Sequence, residues 1–111
     1  MGLVGEDGYI QVLTTVGNER DAERVARIIV NRKLAACAQI VGPIKSYYWW
    51  RGNVETSKEW ICIFKTRKGL YEKLEKAIRE VHNYELPEIV ALPIVSGSKS
   101  YLEWISREVE G

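Results

Sequence analysis

The residues best suited to binding a metal ion are few in this sequence. It contains one histidine, His82, and two cysteines, Cys37 and Cys62. An imidazole nitrogen binds copper and zinc at neutral pH, and a thiolate is a soft ligand suited to Cu(I). His82 and Cys37 are therefore the candidate metal ligands, whereas Cys62, inside a continuous apolar run, is predicted to be a core side chain.

Both candidate ligands also have a structural interpretation. His82 lies at the predicted end of a helix, where the helix dipole favours a histidine and a ring nitrogen can hydrogen-bond to a carbonyl. Cys37 can be a small buried apolar side chain, although three-fold symmetry would bring three copies of it together. The residue types alone leave both alternatives open.

Carboxylates widen the range of candidate chemistry. Glu59, Glu85 and Glu88 are candidate oxygen ligands, and a carboxylate beside His82 would allow acid–base chemistry. The sequence lacks the metal-ligand spacings His-x-x-x-His, Cys-x-x-Cys and Glu-x-x-x-His, a glycine-rich phosphate loop, and a local nucleophile signature. We therefore predict that the protein is not an enzyme.

Four strands are predicted to position these residues. Runs rich in valine, isoleucine, threonine and aromatic residues, bounded by glycine, proline or asparagine, are typical of strands. Gly42-Pro43 predicts a bulge or kink, and Pro93 predicts an edge, a bulge or the end of pairing, because proline cannot donate to a ladder. The predicted segments are Tyr9–Val16, Leu34–Trp50 with its strand beginning near Ala35, Val54–Thr66, and Glu88–Val95.

Three helices are predicted between and after the strands, with Asn18 and Ser98 as N-caps of the first and third. The second follows Gly69 and stops around His82-Asn83, and Arg32 and Lys33 close the first. Their apolar residues recur at helical spacing. The residues expected to be buried are Ala22, Val25, Ala26 and Ile29 in the first helix; Leu70, Leu74, Ala77, Ile78 and Val81 in the second; and Tyr101, Leu102, Trp104, Ile105 and Val109 in the third.

The long hairpin formed by the two middle strands has an unusual apolar pattern. Its turn is predicted at residues 51–53, because Gly52 and Asn53 tolerate positive φ. Residues 47–50 are all aromatic, so two rings point to each face, and the partner run 60–64 is apolar throughout. An antiparallel sheet with one solvated face should alternate. The hairpin is therefore predicted to be covered on both sides.

The order βαββαβ with a further C-terminal helix predicts an α+β, ferredoxin-like sandwich. Its two main helices would cover one face of the sheet and leave the other bare in a single chain. The simplest cover for that face is another copy of the protein. An oligomer is therefore predicted from the residues themselves.

Length and composition exclude several other classes of protein. The 111 residues predict a single domain, 1–111, with residues 1–8 as a flexible leader. A net charge of +1 does not suit a general nucleic-acid binder, and the strand 60–64 lacks the pattern of an RNA-recognition motif. We expect no signal peptide, no membrane helix and no nucleic-acid partner. Free thiols favour a cytosolic protein.

Several motifs together resemble the CutA divalent-cation tolerance family, in the same order and spacing over nearly the whole chain. Two positions depart from the family pattern: His82-Asn83-Tyr84 replaces the usual His-Pro-Tyr, and Thr14 stands where some members have cysteine. The motifs that carry the resemblance are Asn31–Gln39, Ser46–Gly52, Glu59, Lys65-Thr66, His82–Ile89 and Tyr101–Trp104.

This resemblance implies a cytoplasmic homotrimer with a ferredoxin-like fold similar to that of the PII signalling proteins. It also implies tolerance to copper and other divalent cations, with Cu(II) as a ligand. The alternative hypothesis is a PII-like signalling or interaction scaffold that binds a small ligand or a protein partner between subunits.

Overall fold

The computed structural model of the protein describes residues 8–110, so the predicted leader lies outside the described residues except for Gly8. These residues form four strands and three α-helices in the predicted order. The strands are β1 (Tyr9–Val16), β2 (Cys37–Trp50), β3 (Asn53–Arg67) and β4 (Val90–Ile94). The helices are α1 (Glu19–Asn31), α2 (Tyr71–Val81) and α3 (Lys99–Glu108), with a 3₁₀ turn, Lys68–Leu70, before α2.

The sheet confirms the ferredoxin-like fold. Its strand order is β2-β3-β1-β4 and all neighbouring strands are antiparallel. β4 lies at one edge, which accommodates Pro93 as the sequence predicts. β4 begins two residues later than predicted, because residues 83–89 form a loop at the end of β1 instead of pairing.

The end of α1 differs from the prediction. The helix ends at Asn31, and Lys33 takes a positive φ of 60°. The Lys33 N–H donates to Val30 O and the Leu34 N–H donates to Ile29 O, which is the hydrogen-bond pattern of a Schellman motif. Residues 34–36 connect this turn to the sheet, so β2 begins at Cys37 and not near Ala35.

The core lies between α1, α2 and one face of the sheet. Cross-strand partners share a face, and the pairs Ile10 with Thr66, Val12 with Phe64 and Thr14 with Cys62 all point toward the helices. The predicted stripes of α1 and α2 supply the other side. The cluster contains Ile10, Val12, Val16, Ala22, Val25, Ile29, Leu34, Ala35, Cys62, Phe64, Leu74, Ala77 and Ile78.

The opposite sheet face is covered by α3 at one end. Register places Tyr9, Cys37 and Arg67 on this face. Tyr9 Oη lies 2.7 Å from Ser106 Oγ, and Arg67 Nη2 donates to the carbonyl of Glu110 at 3.1 Å. The expectation of a wholly bare face is therefore wrong at this end, because α3 folds back across it.

The middle of that face remains uncovered in the single chain. It consists of apolar side chains from all four strands, which we call the open face. On the helical side of the two central strands Val12, Cys62 and Phe64 are fully buried, whereas the residues of the open face are half-buried or exposed, with Leu92 44% exposed. The open face contains Leu13, Val41, Ile61, Ile63, Val90 and Leu92.

Only part of the predicted buried side of α3 is buried. Ile105 and Val109 are buried, Leu102 and Trp104 are half-buried, and Tyr101 is exposed. A ten-residue helix lying on one end of a sheet has room for a narrow buried stripe. None of the helices within residues 8–110 combines the length and apolar character that crossing a membrane requires.

The hairpin of β2 and β3 contains the predicted bulge. Val41 pairs with Ile61 and Ile44 pairs with Glu59, so Gly42 and Pro43 together oppose Trp60 alone. A Cβ on Gly42 would lie 2.3 Å from Trp60 Cδ1. Glycine is therefore required here because the indole lies directly against the backbone.

The turn of the hairpin is displaced by one residue from the prediction. Positive φ occurs at Arg51 (51°) and Gly52 (85°), whereas Asn53 already belongs to β3. Two consecutive positive φ angles match the right-handed twist of the strands. The register confirms the predicted division of the rings, with Tyr48 and Trp50 on one face and Tyr47 and Trp49 on the other, and it places Glu59 on the face of Tyr48 and Trp50.

Candidate functional site

His82 is the C-cap of α2, and both of its ring nitrogens form hydrogen bonds. Nε2 lies 2.7 Å from the carbonyl oxygen of Thr15, and Nδ1 accepts the backbone N–H of Tyr84 at 3.0 Å. Since a carbonyl only accepts and an amide N–H only donates, the ring is neutral with its proton on Nε2. His82 therefore connects the end of β1 to the loop that follows α2.

The surroundings of His82 favour this neutral form. Burial lowers the pKa of His82, the hydrogen bond to Thr15 opposes that shift, and the positive charge of Arg24 adds to it. A metal ion at Nδ1 would have to replace the bond from the Tyr84 N–H. The structural interpretation of His82 thus has a geometric basis in this chain.

The two cysteines are free thiols in different surroundings. Cys62 is fully buried in the core, and its burial raises the thiol pKa to about 11. Cys37 is half-buried at the start of β2, with its Sγ 3.7 Å from Tyr101 Oη. They cannot form a disulfide within the chain, because Cys37 pairs with Lys65 and Cys62 with Ile40, on opposite sheet faces.

The candidate metal ligands are not brought together in one chain. Thr15, which holds His82, pairs with Ile61, whereas Cys37 pairs with Lys65, four residues further along β3. That separation is about 13 Å at the usual rise of a strand. No group of three histidine, cysteine, aspartate or glutamate side chains within residues 8–110 could hold a metal ion. A metal site made by one copy alone does not fit these residues.

The two departures from the family pattern occupy different environments. Thr14 is fully buried on the helical side of the sheet, and its Oγ1 has no hydrogen-bond partner among the residues described. Asn83 is at the surface, where its Nδ2 donates to Asp21 Oδ2 at 2.8 Å. Neither side chain adds a ligand beside Cys37.

A cleft of about 840 Å³ lies between the hairpin and the loop 83–88. The aromatic side chains of Tyr48 and Trp50 form one wall, and Tyr84 lies on the loop side. Glu59 and Thr15, both buried, lie at its base, where the end of β1 and the middle of β3 adjoin the loop. A concave site of this size, with apolar walls and a few polar groups, is typical of small-ligand sites.

The polar centre of the cleft is a hydrogen bond between Tyr84 and Glu59. Tyr84 Oη donates to Glu59 Oε2 at 2.8 Å. Burial, together with this bond and the nearby negative charge of Glu59, raises the pKa of Tyr84 well above its usual value. The phenol therefore stays protonated at neutral pH and remains a donor to the carboxylate.

Comparison with protein families gives a clear result. A family model described as the CutA1 divalent ion tolerance protein matches residues 10–108. The chain belongs to the CutA1 family. The resemblance found in the sequence is thereby confirmed, and the family is one of divalent-cation tolerance.

Individual members of the CutA1 family agree with this assignment. The chloroplastic CutA 1 protein of Oryza sativa is 45% identical over 98 residues, which cover 88% of this chain and 55% of the rice protein. The chain thus spans about half the length of that relative. A crystal structure of CutA1 from Oryza sativa superposes with a TM-score of 0.91 at 41% identity, covering 95% of this chain and 96% of that one.

A CutA structure from another organism is described as periplasmic. The structure of CutA from Archaeoglobus fulgidus, described as a periplasmic divalent cation tolerance protein, superposes with a TM-score of 0.89 at 37% identity. The match covers 92% of this chain and 99% of that one. The fold of this chain is therefore that of the CutA1 structures.

Sequence reasoning found some parts of the site and missed others. Glu59 was a candidate as an oxygen ligand, and the structure places it at the base of the cleft. The partnership of Glu59 with Tyr84 was missed, because 25 residues separate them and no local spacing links them. The one available signal was that both residues lie in motifs shared with the CutA family.

Proposed function

We propose that this chain forms a cytoplasmic homotrimer that binds divalent cations, Cu(II) among them, and catalyses no reaction. The observation that carries this proposal is the open face, in a chain that belongs to a divalent ion tolerance family. A contiguous apolar surface of this kind marks an interaction site.

The aromatic hairpin supports assembly as well. Tyr47 and Trp49 lie on the hairpin face opposite Tyr48 and Trp50 and are 68% and 74% exposed. Exposed rings of this size are costly in water and are enriched in the centres of protein interfaces. Three copies that pack hairpins against one another would bury both the rings and the open face. Sedimentation velocity of the full chain tests this proposal, since a species of one 12.7 kDa chain would refute it.

We propose that ligands from more than one copy complete the metal site, because one chain does not group three of them. Cys37 supports this arrangement, since its half-exposed thiol lies on the sheet face that the trimer would cover. His82 is the second proposed ligand, through Nδ1 if the Tyr84 N–H is displaced.

Calorimetric titration with Cu(II) tests the metal site. We expect Cys37→Ser and His82→Gln to weaken binding, and Cys62→Ala, in the core on the helical side, to leave the affinity unchanged. Equal affinities in all four proteins would remove both residues from the site. Chelation should leave the trimer intact if the open face, and not the metal, holds the copies together.

Location is proposed from the thiols. Two free cysteines persist most readily in a reducing compartment. Cell fractionation tests this part, and recovery in the periplasm, the location given for the Archaeoglobus fulgidus relative, would overturn it.

A second candidate function is a PII-like scaffold that binds a small ligand. The cleft of about 840 Å³ favours it, because the metal proposal makes no use of that volume. Native mass spectrometry of protein purified from cells would separate the two functions. A bound small molecule supports the scaffold, whereas bound copper supports metal binding.

A further inference from the structure

The cleft beside the hairpin is strongly biased in charge. Three carboxylates, Glu59, Glu85 and Glu88, line it, and no lysine, arginine or histidine is found among the described lining residues. Glu85 and Glu88 are on the loop that bounds the cleft, whereas Glu59 projects from β3. Arg51 is ion-paired with Glu85 at the rim, so Glu59 and Glu88 are the carboxylates whose charge makes the potential in the cleft favourable to a cation.

Glu59 provides an observation independent of this charge count. It is only 7% exposed, and within residues 8–110 its carboxylate forms one hydrogen bond, from Tyr84, and no ion pair. A buried carboxylate is stable when its charge is compensated and its oxygens are hydrogen-bonded. The other oxygen, Oε1, has no donor among residues 8–110 and is not enclosed by protein atoms, so it is accessible to a cation in the cleft.

The walls of the cleft are suited to a particular kind of cation. The faces of tryptophan and tyrosine rings attract ammonium and guanidinium groups. The rim already shows this chemistry: the Arg51 guanidinium lies 5.2 Å from the ring centre of Trp50 and 3.1 Å from Glu85 Oε1. A guanidinium is thus held between an aromatic face and a carboxylate at the mouth of the cleft.

We propose that the cleft binds a small organic cation, an alkylammonium or guanidinium compound, with Glu59 as its counter-charge and Trp50 and Tyr48 as its aromatic walls. This inference rests on the second candidate function and names the class of ligand. A divalent metal fits less well, because it needs several oxygen or nitrogen ligands in place of ring carbons. A weakly hydrated organic cation loses less solvation on entering such a site.

Calorimetry on the assembled full chain tests this proposal with choline as the probe. Its uncharged carbon analogue, 3,3-dimethyl-1-butanol, has a similar shape and isolates the contribution of charge. We expect choline to bind and the alcohol to bind roughly tenfold more weakly, because only choline carries a positive charge that pairs with the buried carboxylate. Titration with Mg²⁺ and Cu(II) forms a separate arm, and displacement of choline by either metal at similar concentration would overturn the organic-cation assignment.

Variants locate the bound probe. Glu59→Gln keeps an acceptor for Tyr84 and removes the charge, so choline affinity should fall roughly tenfold or more. Glu72→Gln, at an exposed position on α2, removes the same charge elsewhere and should have no effect. Trp50→Leu at the hairpin tip should weaken binding by roughly three- to tenfold without affecting the core.

The outcomes separate this inference from the functions on which it rests. Equal binding of choline and the alcohol, or no binding of choline, overturns the inference. The absence of choline binding is the result expected if a neighbouring copy fills the cleft in the assembly. A neutral or anionic metabolite found by native mass spectrometry would preserve the scaffold function while refuting the organic cation.

Discussion

The hydroxyl of Tyr84 and the carboxylate of Glu59 are joined by a 2.8 Å hydrogen bond. This contact fastens the loop after α2 to β3, two residues away from the bond that His82 makes with β1. The loop is thus attached to both central strands of the sheet. The shape of the cleft depends on these two attachments.

Removing the phenolic hydroxyl should destabilise the protein measurably. Tyr84→Phe keeps the ring but leaves Glu59 buried without its donor. We expect the free energy of unfolding to fall by about 1–2 kcal/mol. This is less than for a fully buried hydrogen bond to a charged group, because Tyr84 is itself partly exposed. Urea denaturation measures the change. Tyr47→Phe on the exposed face of the hairpin should have no effect, and equal losses in both variants would contradict the prediction.

Stability should fall as the pH drops through the ordinary pKa of histidine. Burial lowers the pKa of His82 in the folded state, so the unfolded chain takes up its proton at a higher pH than the folded one. The contribution of neutral His82 is complete above about pH 7 and is lost progressively as the pH falls from the ordinary histidine pKa of 6.5 to the lower pKa of the folded state. Thermal melts between pH 7.5 and 5.5 should show this decline.

The matched control for that experiment is His82→Gln. It removes the titrating group, so its stability should change less between pH 7.5 and 6, where carboxylates hardly titrate. An identical slope in the two proteins would show that another group is responsible.

Gly42 should tolerate no side chain. Gly42→Ala places a Cβ 2.3 Å from Trp60 Cδ1, and such overpacking costs about 1–3 kcal/mol. Chemical denaturation should detect this loss. In the background of Trp60→Ala, the same substitution should cost much less, because the ring that it meets is gone. Additive losses would place the cause in the backbone at residue 42.

A charge on the open face should dissociate the proposed trimer without unfolding the chain. Leu92→Glu introduces a carboxylate opposite Gln11, on the side of the sheet away from the core. We expect the trimer to dissociate to monomers in sedimentation velocity, with the circular dichroism spectrum unchanged. Arg27→Glu, exposed on α1, changes the surface charge more and should leave the trimer intact. A persistent trimer in Leu92→Glu would exclude this face as the interface.

Much of the fold followed from local patterns in the sequence. Asn18 accepts the N–H of Asp21 and Ser98 accepts that of Tyr101, as their positions before the apolar stripes predict. Pro93 marked an edge strand and Gly42-Pro43 marked the bulge, because proline has no N–H to donate. These features depend on the chemistry of one or two neighbouring residues, which a sequence displays directly.

Other features depend on tertiary contacts and were not visible. Lys33 occupies the position that glycine usually takes at a helix end, so no residue signalled that turn. The return of α3 across the sheet depends on contacts of Ser106 with Tyr9, 97 residues away. His82 was identified as a metal candidate by its side chain, but its two hydrogen bonds appear only when β1 and the loop are brought together.

The bulge opposite Trp60 determines which face each side chain points to in the hairpin arm, the part of β2 and β3 between the bulge and the turn. Side chains alternate between faces, so an insertion of one residue beyond it would turn the aromatic wall away from Glu59. An insertion of two residues in each strand would instead lengthen the arm by about 7 Å and preserve that wall. The length of the arm can therefore vary in even steps while the aromatic wall keeps its place on the face of Glu59.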